Sequence, residues 1–199
     1  MIARLAGLGA LLLSLGACTL PSGGTPSIAP PFRGIAADQA GAPRLIVGLE
    51  ELGFTGVMAL VQSRAGYRTY MSADDISVTL NNGMLVATRG FGDDLASTDA
   101  SQTAAYLASG RTGQVERYHG FYTGGEDVLL RAYVCEITPG QGTTIQTASG
   151  PVPVRAVVES CRNPEQAFTN YYYFNASGAL VASAQWAGEG LGRLLLQPQ

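Results

Sequence analysis

The sequence predicts a mainly β fold, in which antiparallel hairpins and a meander form a sandwich or a barrel-like domain with few short helices. Two observations predict it. Short stretches that alternate apolar and polar residues are separated by turns rich in Gly, Asn and Ser, and no stretch shows the strand–helix–strand alternation of a parallel sheet. The chain has 199 residues with 26 Gly, 46% hydrophobic residues and only 14% charged residues, which is typical of a packed, turn-rich globular domain.

Residues 1–17 have the composition of a lipoprotein signal peptide. Arg4 precedes an apolar run at residues 5–15, and the small residues Gly16 and Ala17 follow. This run is shorter than the roughly 20 apolar residues that a transmembrane helix needs, and no later run is longer. We therefore expect a secreted chain whose mature form has no membrane-spanning helix.

Cys18 ends the sequence Leu-Gly-Ala-Cys, which resembles the bacterial lipobox that directs acylation of its cysteine and cleavage before it. Each buried CH₂ group contributes about 0.8 kcal/mol, so several acyl chains on Cys18 would anchor the protein in a lipid bilayer. Thr19 occupies the position at which Asp usually signals inner-membrane retention in Gram-negative lipoproteins, so we expect the outer membrane. The alternative is an ordinary signal peptide that happens to end before a cysteine.

Residues 18–43 are predicted to be the lipidated cysteine followed by a flexible tether, and residues 44–199 a single β-rich periplasmic domain. The stretch 19–43 holds five of the ten Pro and four Gly, without apolar periodicity. A flexible coil of that length spans roughly 25–30 Å, so the domain can stand clear of the lipid surface. A short segment at residues 45–52 can still pack on the domain.

The clearest local signal is a hairpin at residues 76–88, where alternating apolar and polar residues surround an Asn82-Gly83 turn. A two-residue loop there sets the register of the two strands. The expected facing pairs are Leu80 with Leu85, Val78 with Ala87, and Thr79 with Val86. A second hairpin is expected before it, with strands at residues 57–61 and 67–71 joined through residues 64–66.

The rest of the domain is also predicted to consist of strands with one short helix. β-branched and aromatic residues are frequent in these segments, and turns that contain Gly or Asn separate them. The predicted strands are residues 114–122, 128–138, 152–161, 171–174 and 179–186. A helix is expected at residues 101–109 and a helical turn near residues 93–97.

Cys135 and Cys161 lie near the ends of two predicted strands and remain after the lipidation of Cys18. In an oxidising periplasm we expect them to form a disulfide. Closing a loop of about 27 residues would contribute roughly 3.5 kcal/mol to stability through the chain entropy of the unfolded state. Two free buried thiols are an alternative, as is a redox or metal role, although the sequence contains no Cys-x-x-Cys motif.

Composition and motifs argue against several function classes. The net charge is −3, so nucleic acid is not an expected partner. His119 is the single histidine, which excludes a metal site built on two imidazoles, and we expect no cofactor and no metal. The chain also lacks the Gly-x-Ser-x-Gly motif that would accompany a catalytic histidine in one common class of hydrolase.

Two pairs of carboxylates are the remaining candidates for chemistry. Asp93 and Asp94 follow a Gly-rich turn, and we expect one of them to cap the short turn at residues 95–97 rather than bind a cation. Glu136 and Glu159 lie near the two late cysteines and would form a glycosidase-like pair if they faced each other. Acids on neighbouring strands are also ordinary surface charges, so we assign no catalytic residue.

Aromatic residues are densest in the Tyr-Tyr-Tyr-Phe run that ends at Phe174, together with Trp186. In a strand, Tyr171 and Tyr173 face one side, while Tyr172 and Phe174 face the other. Aromatic rings can stack on sugar rings, so Tyr171, Tyr173 and Trp186 are the candidate residues for contact with a glycan or a protein partner. The alternative is that they only pack in the core.

The segment at residues 72–95 resembles the middle of the YjbF/GfcB-type lipoproteins of exopolysaccharide and group 4 capsule loci. The lipobox, the two late cysteines, Asn170-Tyr171, and Gln185-Trp186 followed by Gly188 fit this family in the same order. The resemblance implies a β-rich outer-membrane lipoprotein that is needed for polysaccharide production or export and is encoded beside an outer-membrane β-barrel protein. Cys18 matches the family's lipidation position, and the family has no assigned catalytic residues.

We therefore expect a non-enzymatic component of exopolysaccharide or capsule production or export. Its expected partners are the lipid bilayer, through acylated Cys18, an outer-membrane β-barrel protein and polysaccharide. Two alternatives stay open: a glycan-binding module without catalysis, and a periplasmic glycan-processing enzyme. The enzyme would use some of the residues His119, Asp93, Asp94, Glu136 and Glu159.

Overall fold

The structure is a computed structural model that describes residues 41–51, 53–123, 127–147 and 149–199. The predicted signal peptide, Cys18 and most of the predicted tether lie outside these residues. Within them, no helix combines the length and the apolar character that crossing a membrane requires.

The described part of the chain contains thirteen β-strands and one α-helix, so the predicted mainly β class is confirmed. The elements in chain order are β1 (Arg44–Leu49), β2 (Phe54–Arg64), β3 (Tyr67–Met71), β4 (Ser77–Asn81), β5 (Met84–Arg89), β6 (Leu95–Asp99), α1 (Ser101–Ser109), β7 (Gly113–Tyr122), β8 (Val128–Pro139), β9 (Thr143–Thr147), β10 (Gly150–Arg162), β11 (Ala167–Phe174), β12 (Leu180–Gly188) and β13 (Gly192–Pro198).

The strands form one antiparallel sheet that nearly closes into a barrel. Their order is β5-β4-β3-β2-β1-β13-β12-β11-β10-β8-β7-β6, and β9 pairs with the first part of β10. Side chains connect the two end strands, β5 and β6. The Leu95 N–H donates to Thr88 Oγ1 at 2.9 Å, and Arg89 Nη1 donates to the Leu95 carbonyl oxygen at 3.0 Å. These bonds satisfy the main-chain N–H and carbonyl groups of Leu95 at the β6 edge of the sheet.

The predicted hairpin at the Asn82-Gly83 turn is present as β4 and β5. Asn82 and Gly83 have φ angles of 48° and 85°, the left-handed pair that a type I′ turn requires. Gln185 in β12 holds this turn from a strand that is not its neighbour in the sheet. Its Oε1 accepts from the Leu85 N–H at 2.8 Å, and its Nε2 donates to the Gly83 carbonyl oxygen at 2.7 Å.

The register of this hairpin differs from the predicted one beyond the turn. The observed facing pairs are Leu80 with Leu85, Thr79 with Ala87, and Val78 with Thr88. The first predicted pair is present, and the other two are wrong because a β-bulge makes Val86 an extra residue of β5. Val86 and Leu85 are both buried, which strict alternation does not allow.

The other predicted strands each coincide with, or overlap, an observed one, and α1 has the predicted bounds. The predicted helical turn near residues 93–97 is wrong, because β6 begins at Leu95. The strands β1, β6, β9 and β13 were not predicted. Of these four strands, β1 and β13 pair with each other in the middle of the sheet and bury most of their apolar side chains.

The interior contains two hydrophobic clusters. One includes Leu45 and Leu194 and is formed mainly by β1, β2, β4, β5 and β13. The other includes Tyr172 and is formed mainly by α1, β7, β8, β10 and β11. A disulfide joins Cys135 and Cys161, which face each other directly on β8 and β10. This is the pairing that the sequence predicts.

Candidate functional site

One end of the barrel carries an open cleft. Because neighbouring strands run in opposite directions, the last residues of β5, β7, β10 and β12 and the first residues of β6, β8, β11 and β13 all lie at this end. The cleft has a volume of about 210 Å³. We call it the end cleft and define it by Phe121, Tyr122, Arg131, Gln166, Trp186 and Glu189.

Trp186 forms the aromatic wall of the end cleft. Its indole stacks on Phe168 with ring centroids 4.4 Å apart and 8° between the ring planes, and Phe121 meets it edge-on at 5.6 Å. The main-chain N–H of Trp186 donates to Asn170 Oδ1 at 2.7 Å. These contacts hold the indole in one orientation, while the side chain stays partly exposed.

The polar side chains of the end cleft are held by hydrogen bonds. Tyr133 Oη donates to Gln166 Oε1 at 2.6 Å, and Gln166 Nε2 donates to Glu189. Burial raises the pKa of Tyr133 to about 12, so its hydroxyl remains a donor at neutral pH. Arg131 pairs with Glu165 at 2.7 Å. Side chains that are oriented before binding lose less entropy when a ligand arrives.

The two adjacent aspartates line the end cleft and have different surroundings. Asp94 is buried and accepts hydrogen bonds from the Thr88 hydroxyl at 2.7 Å and from the Gly90 N–H at 2.8 Å. It therefore caps the turn that precedes it. The predicted cap of the following turn is wrong, because the residues after Asp94 form β6 and not a helical turn. Asp93 is exposed.

A buried polar network occupies the interior of the barrel. Arg117 in β7 and Glu159 in β10 form an ion pair with an Nη1–Oε2 distance of 3.0 Å, and both side chains are fully buried. Glu159 also accepts hydrogen bonds from Asn170 Nδ2 and Tyr172 Oη, both at 2.7 Å, and from the Thr103 hydroxyl. Both carboxylate oxygens therefore have partners, as a buried charge requires.

Burial and charge act in opposite directions on the pKa values of this ion pair. Burial alone would raise the pKa of Glu159, but the Arg117 guanidinium and the hydrogen bonds outweigh it, and this pKa is lowered. Burial alone would lower the pKa of Arg117, but the Glu159 carboxylate outweighs it, and this pKa is raised. Burial, and then the Glu159 carboxylate, raises the pKa of Tyr172 well above its ordinary value. At neutral pH the pair is ionised and Tyr172 is a neutral donor.

His119 is buried beside the ion pair. Arg117 Nε donates to His119 Nε2 at 2.8 Å, and the rings of Phe168 and Trp186 stack near the imidazole at 5.5 and 5.6 Å. Burial, and then the Arg117 charge, lowers the pKa of His119 well below its ordinary value. The imidazole is therefore neutral, and its surroundings favour a structural role over a catalytic one.

The structure does not bring Glu136 and Glu159 together. Glu159 faces Ile137 across the β8–β10 ladder, and Glu136 faces Ser160, so alternation places the two carboxylates on opposite faces of the sheet. Glu136 is exposed and Glu159 is buried. A pair of glycosidase acids has to flank one bond at a separation of about 5–10 Å, which this arrangement does not allow.

The three predicted contact residues do not share one surface. Tyr171 and Tyr173 are half-buried on the outer face of β11, while Tyr172 and Phe174 are buried in the interior. The alternation along this strand therefore agrees with the parity argument. Trp186, by contrast, lines the end cleft.

Sequence reasoning missed three polar residues of the end cleft, which are Arg131, Gln166 and Glu189. Each lies at or near the end of a strand, and nothing in the local sequence relates one to another. A partial signal existed near Glu189, because Gly188, Gly190 and Gly192 indicate a loop there.

Residues 36–198 match the protein family described as group 4 capsule polysaccharide lipoprotein gfcB, YjbF. The chain belongs to this family. The resemblance seen at residues 72–95 is therefore confirmed, and the match covers nearly the whole described barrel. Among curated proteins, no sequence matches this chain.

The comparison with solved structures bears on the fold. The crystal structure of the lipoprotein YmcC from Escherichia coli aligns with a TM-score of 0.68 and 18% sequence identity, covering 80% of this chain and 85% of that chain. An exported protein with a YmcC-like fold from Bacteroides fragilis aligns with a TM-score of 0.29 and 10% identity, covering 84% of this chain and 96% of that chain. The likeness to YmcC confirms the mainly β barrel-like architecture.

Proposed function

We propose that this lipoprotein is a non-enzymatic component of capsule or exopolysaccharide production or export. Acylated Cys18 would hold it at the outer membrane, with the barrel facing the periplasm. Membership of the capsule polysaccharide lipoprotein family supports the process. The expected partners are an outer-membrane β-barrel protein and the polysaccharide itself.

The observation that carries the non-enzymatic role is the state of the buried ionisable groups. Arg117 and Glu159 neutralise each other, and His119 is a neutral imidazole packed against aromatic rings. A general acid or base needs access to its substrate and a pKa near the working pH. The pKa values of Glu159 and His119 are instead both moved away from neutrality, which favours a structural role for these residues.

The position of β1 supports a role at a membrane surface. β1 begins at the barrel end opposite the end cleft, since it runs antiparallel to β13 and parallel to β12. The tether would therefore join the barrel on the side away from the end cleft. A partner in the same membrane would meet an anchored barrel at a raised effective concentration, without any additional contact.

The variant Cys18→Ala, placed behind a leader that is cleaved without acylation, tests the anchor. We expect lower exopolysaccharide output at a matched protein level, measured as purified polymer per cell mass, because the barrel is no longer confined to the membrane. The control is Thr19→Ser, which keeps the acylated cysteine and should leave the output unchanged. Normal output from Cys18→Ala would contradict the anchoring proposal.

The variants Glu136→Gln and Glu159→Gln test the enzymatic alternative. We expect the polymer to keep its chain length in both, with its yield scaling only with the amount of folded protein. Glu136 is exposed and serves as the matched control for loss of stability, because its substitution leaves the buried network intact. A changed chain length at a normal level of folded protein would favour a glycan-processing enzyme.

A further inference from the structure

We propose that the end cleft binds an uncharged pyranose ring within a polysaccharide chain, with the sugar in contact with the Trp186 indole. The inference rests on the proposed role in polysaccharide production or export, and it assigns a ligand class to the end cleft. No bond is made or broken in this step, because the polymer binds and is released unchanged.

The size of the end cleft suits one sugar ring. Its volume of about 210 Å³ lies below the roughly 300–1,000 Å³ of pockets that enclose drug-sized ligands. The cleft is open at the barrel end, so the units on either side of the bound ring can continue into solvent. Tyr122 and Leu129 also line it and are 41% and 43% exposed, which extends the apolar surface beyond Trp186.

The aromatic wall supplies the contact with the sugar. One face of a pyranose ring carries C–H groups with a partial positive charge, and these are attracted to the negative face of an aromatic ring. Phe168 and Phe121 already pack against the Trp186 indole. Binding therefore costs little side-chain entropy at this residue.

Planar polar side chains beside the indole supply partners for hydroxyl groups. Beyond its bonds to Tyr133 and Glu189, the Gln166 amide keeps one N–H donor and one acceptor lone pair. Arg131 offers donors, and Glu189 offers acceptors. Tyr133 orients Gln166, and Glu165 orients Arg131. A sugar hydroxyl both donates and accepts, so a mixed set of polar groups next to an aromatic ring matches the chemistry of a pyranose.

The charge of the end cleft favours an uncharged sugar over a uronic acid. The acidic residues that line it are Asp93, Asp94 and Glu189, whereas Arg131 is the one basic residue among its described lining residues. Glu165 already pairs with Arg131. The carboxylate of a uronic acid would therefore face net negative charge, which is unfavourable. The ligand class is a neutral hexose or an N-acetylhexosamine.

Trp186 is the single tryptophan of the chain, so its fluorescence reports directly on the end cleft. The full-length acylated protein in detergent is titrated with cellotriose, N-acetylglucosamine trimer and trigalacturonate at low ionic strength. We expect a saturable emission change with at least one neutral trimer and at least about tenfold weaker binding of trigalacturonate. No saturable change with either neutral trimer overturns the inference. An affinity for trigalacturonate equal to that for the neutral trimers overturns the assignment of the ligand to uncharged sugars.

Substitutions locate the bound sugar. Gln166→Ala keeps the fluorescent reporter and removes one hydrogen-bonding group, so the affinity should fall about three- to tenfold. Trp186→Phe, measured by calorimetry, should also weaken binding. The matched control is Tyr171→Ala on the outer face of β11, which should leave the affinity unchanged. An equal loss in Tyr171→Ala and Gln166→Ala would place the sugar elsewhere and overturn the inference.

The two proposals fail separately. If Cys18→Ala lowers polymer output but no neutral trimer binds, the anchored role stands and the sugar site is refuted, which leaves a protein partner as the occupant of the end cleft. If a neutral trimer binds with the expected variant pattern but Cys18→Ala has normal output, the sugar site stands and the anchoring proposal is refuted.

Discussion

Replacing Arg117 with methionine tests whether one buried ion pair organises the barrel interior. Arg117 and Glu159 are fully buried, with 3.0 Å between Nη1 and Oε2. Arg117→Met removes the positive charge but fills much of the space, so the Glu159 carboxylate keeps only neutral hydrogen-bond donors. Removing one partner of a buried pair costs about 3–5 kcal/mol of stability.

Protonation of Glu159 limits this cost. The ordinary pKa of a glutamate is 4.5, and each pH unit corresponds to about 1.4 kcal/mol, so neutralising the carboxyl at pH 7 costs roughly 3.4 kcal/mol. We therefore expect a loss of about 3–4 kcal/mol at pH 7, or about 6–16 °C in Tm. In the variant the folded state would take up a proton at Glu159, so the loss shrinks as the pH falls from 7 toward 4.5.

Urea unfolding, followed by Trp186 fluorescence and circular dichroism, measures the free energy of unfolding at pH 7 and pH 5. Arg131→Met is the matched control, because its partner Glu165 is 72% exposed, and we expect a loss below about 1 kcal/mol. Arg117→Lys keeps the charge and provides a folded comparison if Arg117→Met does not fold. A loss below about 1 kcal/mol for Arg117→Met at pH 7, or no recovery at pH 5, would refute the reasoning.

Two further predictions concern the single histidine and the disulfide. Because the pKa of His119 is lowered in the folded state from its ordinary value of 6.5, the unfolded chain binds more protons below that pH, and stability falls by up to about 1.4 kcal/mol per pH unit. His119→Gln should flatten this pH dependence, and parallel profiles of variant and wild type between pH 7 and 5 would contradict it. Replacing Cys135 and Cys161 together with alanine should lower the free energy of unfolding by roughly 3.5 kcal/mol in urea unfolding. Alkylation of the unfolded, non-reduced wild type should leave both thiols unmodified by intact mass, and two added groups would exclude the disulfide.

The elements that could be predicted are those with a local signal in the sequence: apolar–polar alternation, frequent β-branched and aromatic residues, or a recognisable turn. The hairpin at residues 76–88 combines alternation with an Asn-Gly turn, and α1 ends at Gly110, whose φ of 67° is the left-handed value of a helix C-cap. β13 was missed although its side chains alternate in burial. Its three consecutive leucines give no apolar–polar alternation in the sequence, because apolar residues occupy both faces of the strand.

The end cleft could not be assembled from the sequence because its residues meet only through long-range strand pairing. Phe121, Gln166 and Glu189 come from different strand ends, and they become neighbours through the order β7-β8-β10-β11-β12. The buried ion pair left a clearer signal. Arg117 lies two residues after Val115 in β7 and therefore on the same, inward face of the strand. A charge on that face requires a buried partner, which could have been inferred once the strand was placed.

Asn170 connects the buried ion pair to the end cleft. Its Nδ2 donates to Glu159, and its Oδ1 accepts from the Trp186 main-chain N–H, both at 2.7 Å. A carboxylate can only accept, so Glu159 determines which end of the Asn170 amide faces Trp186. A buried ion pair contributes little net stability compared with apolar residues of the same size. Its contribution in this barrel is geometric: Arg117 keeps Glu159 ionised, Glu159 orients Asn170, and Asn170 fixes the main chain that carries the tryptophan of the end cleft.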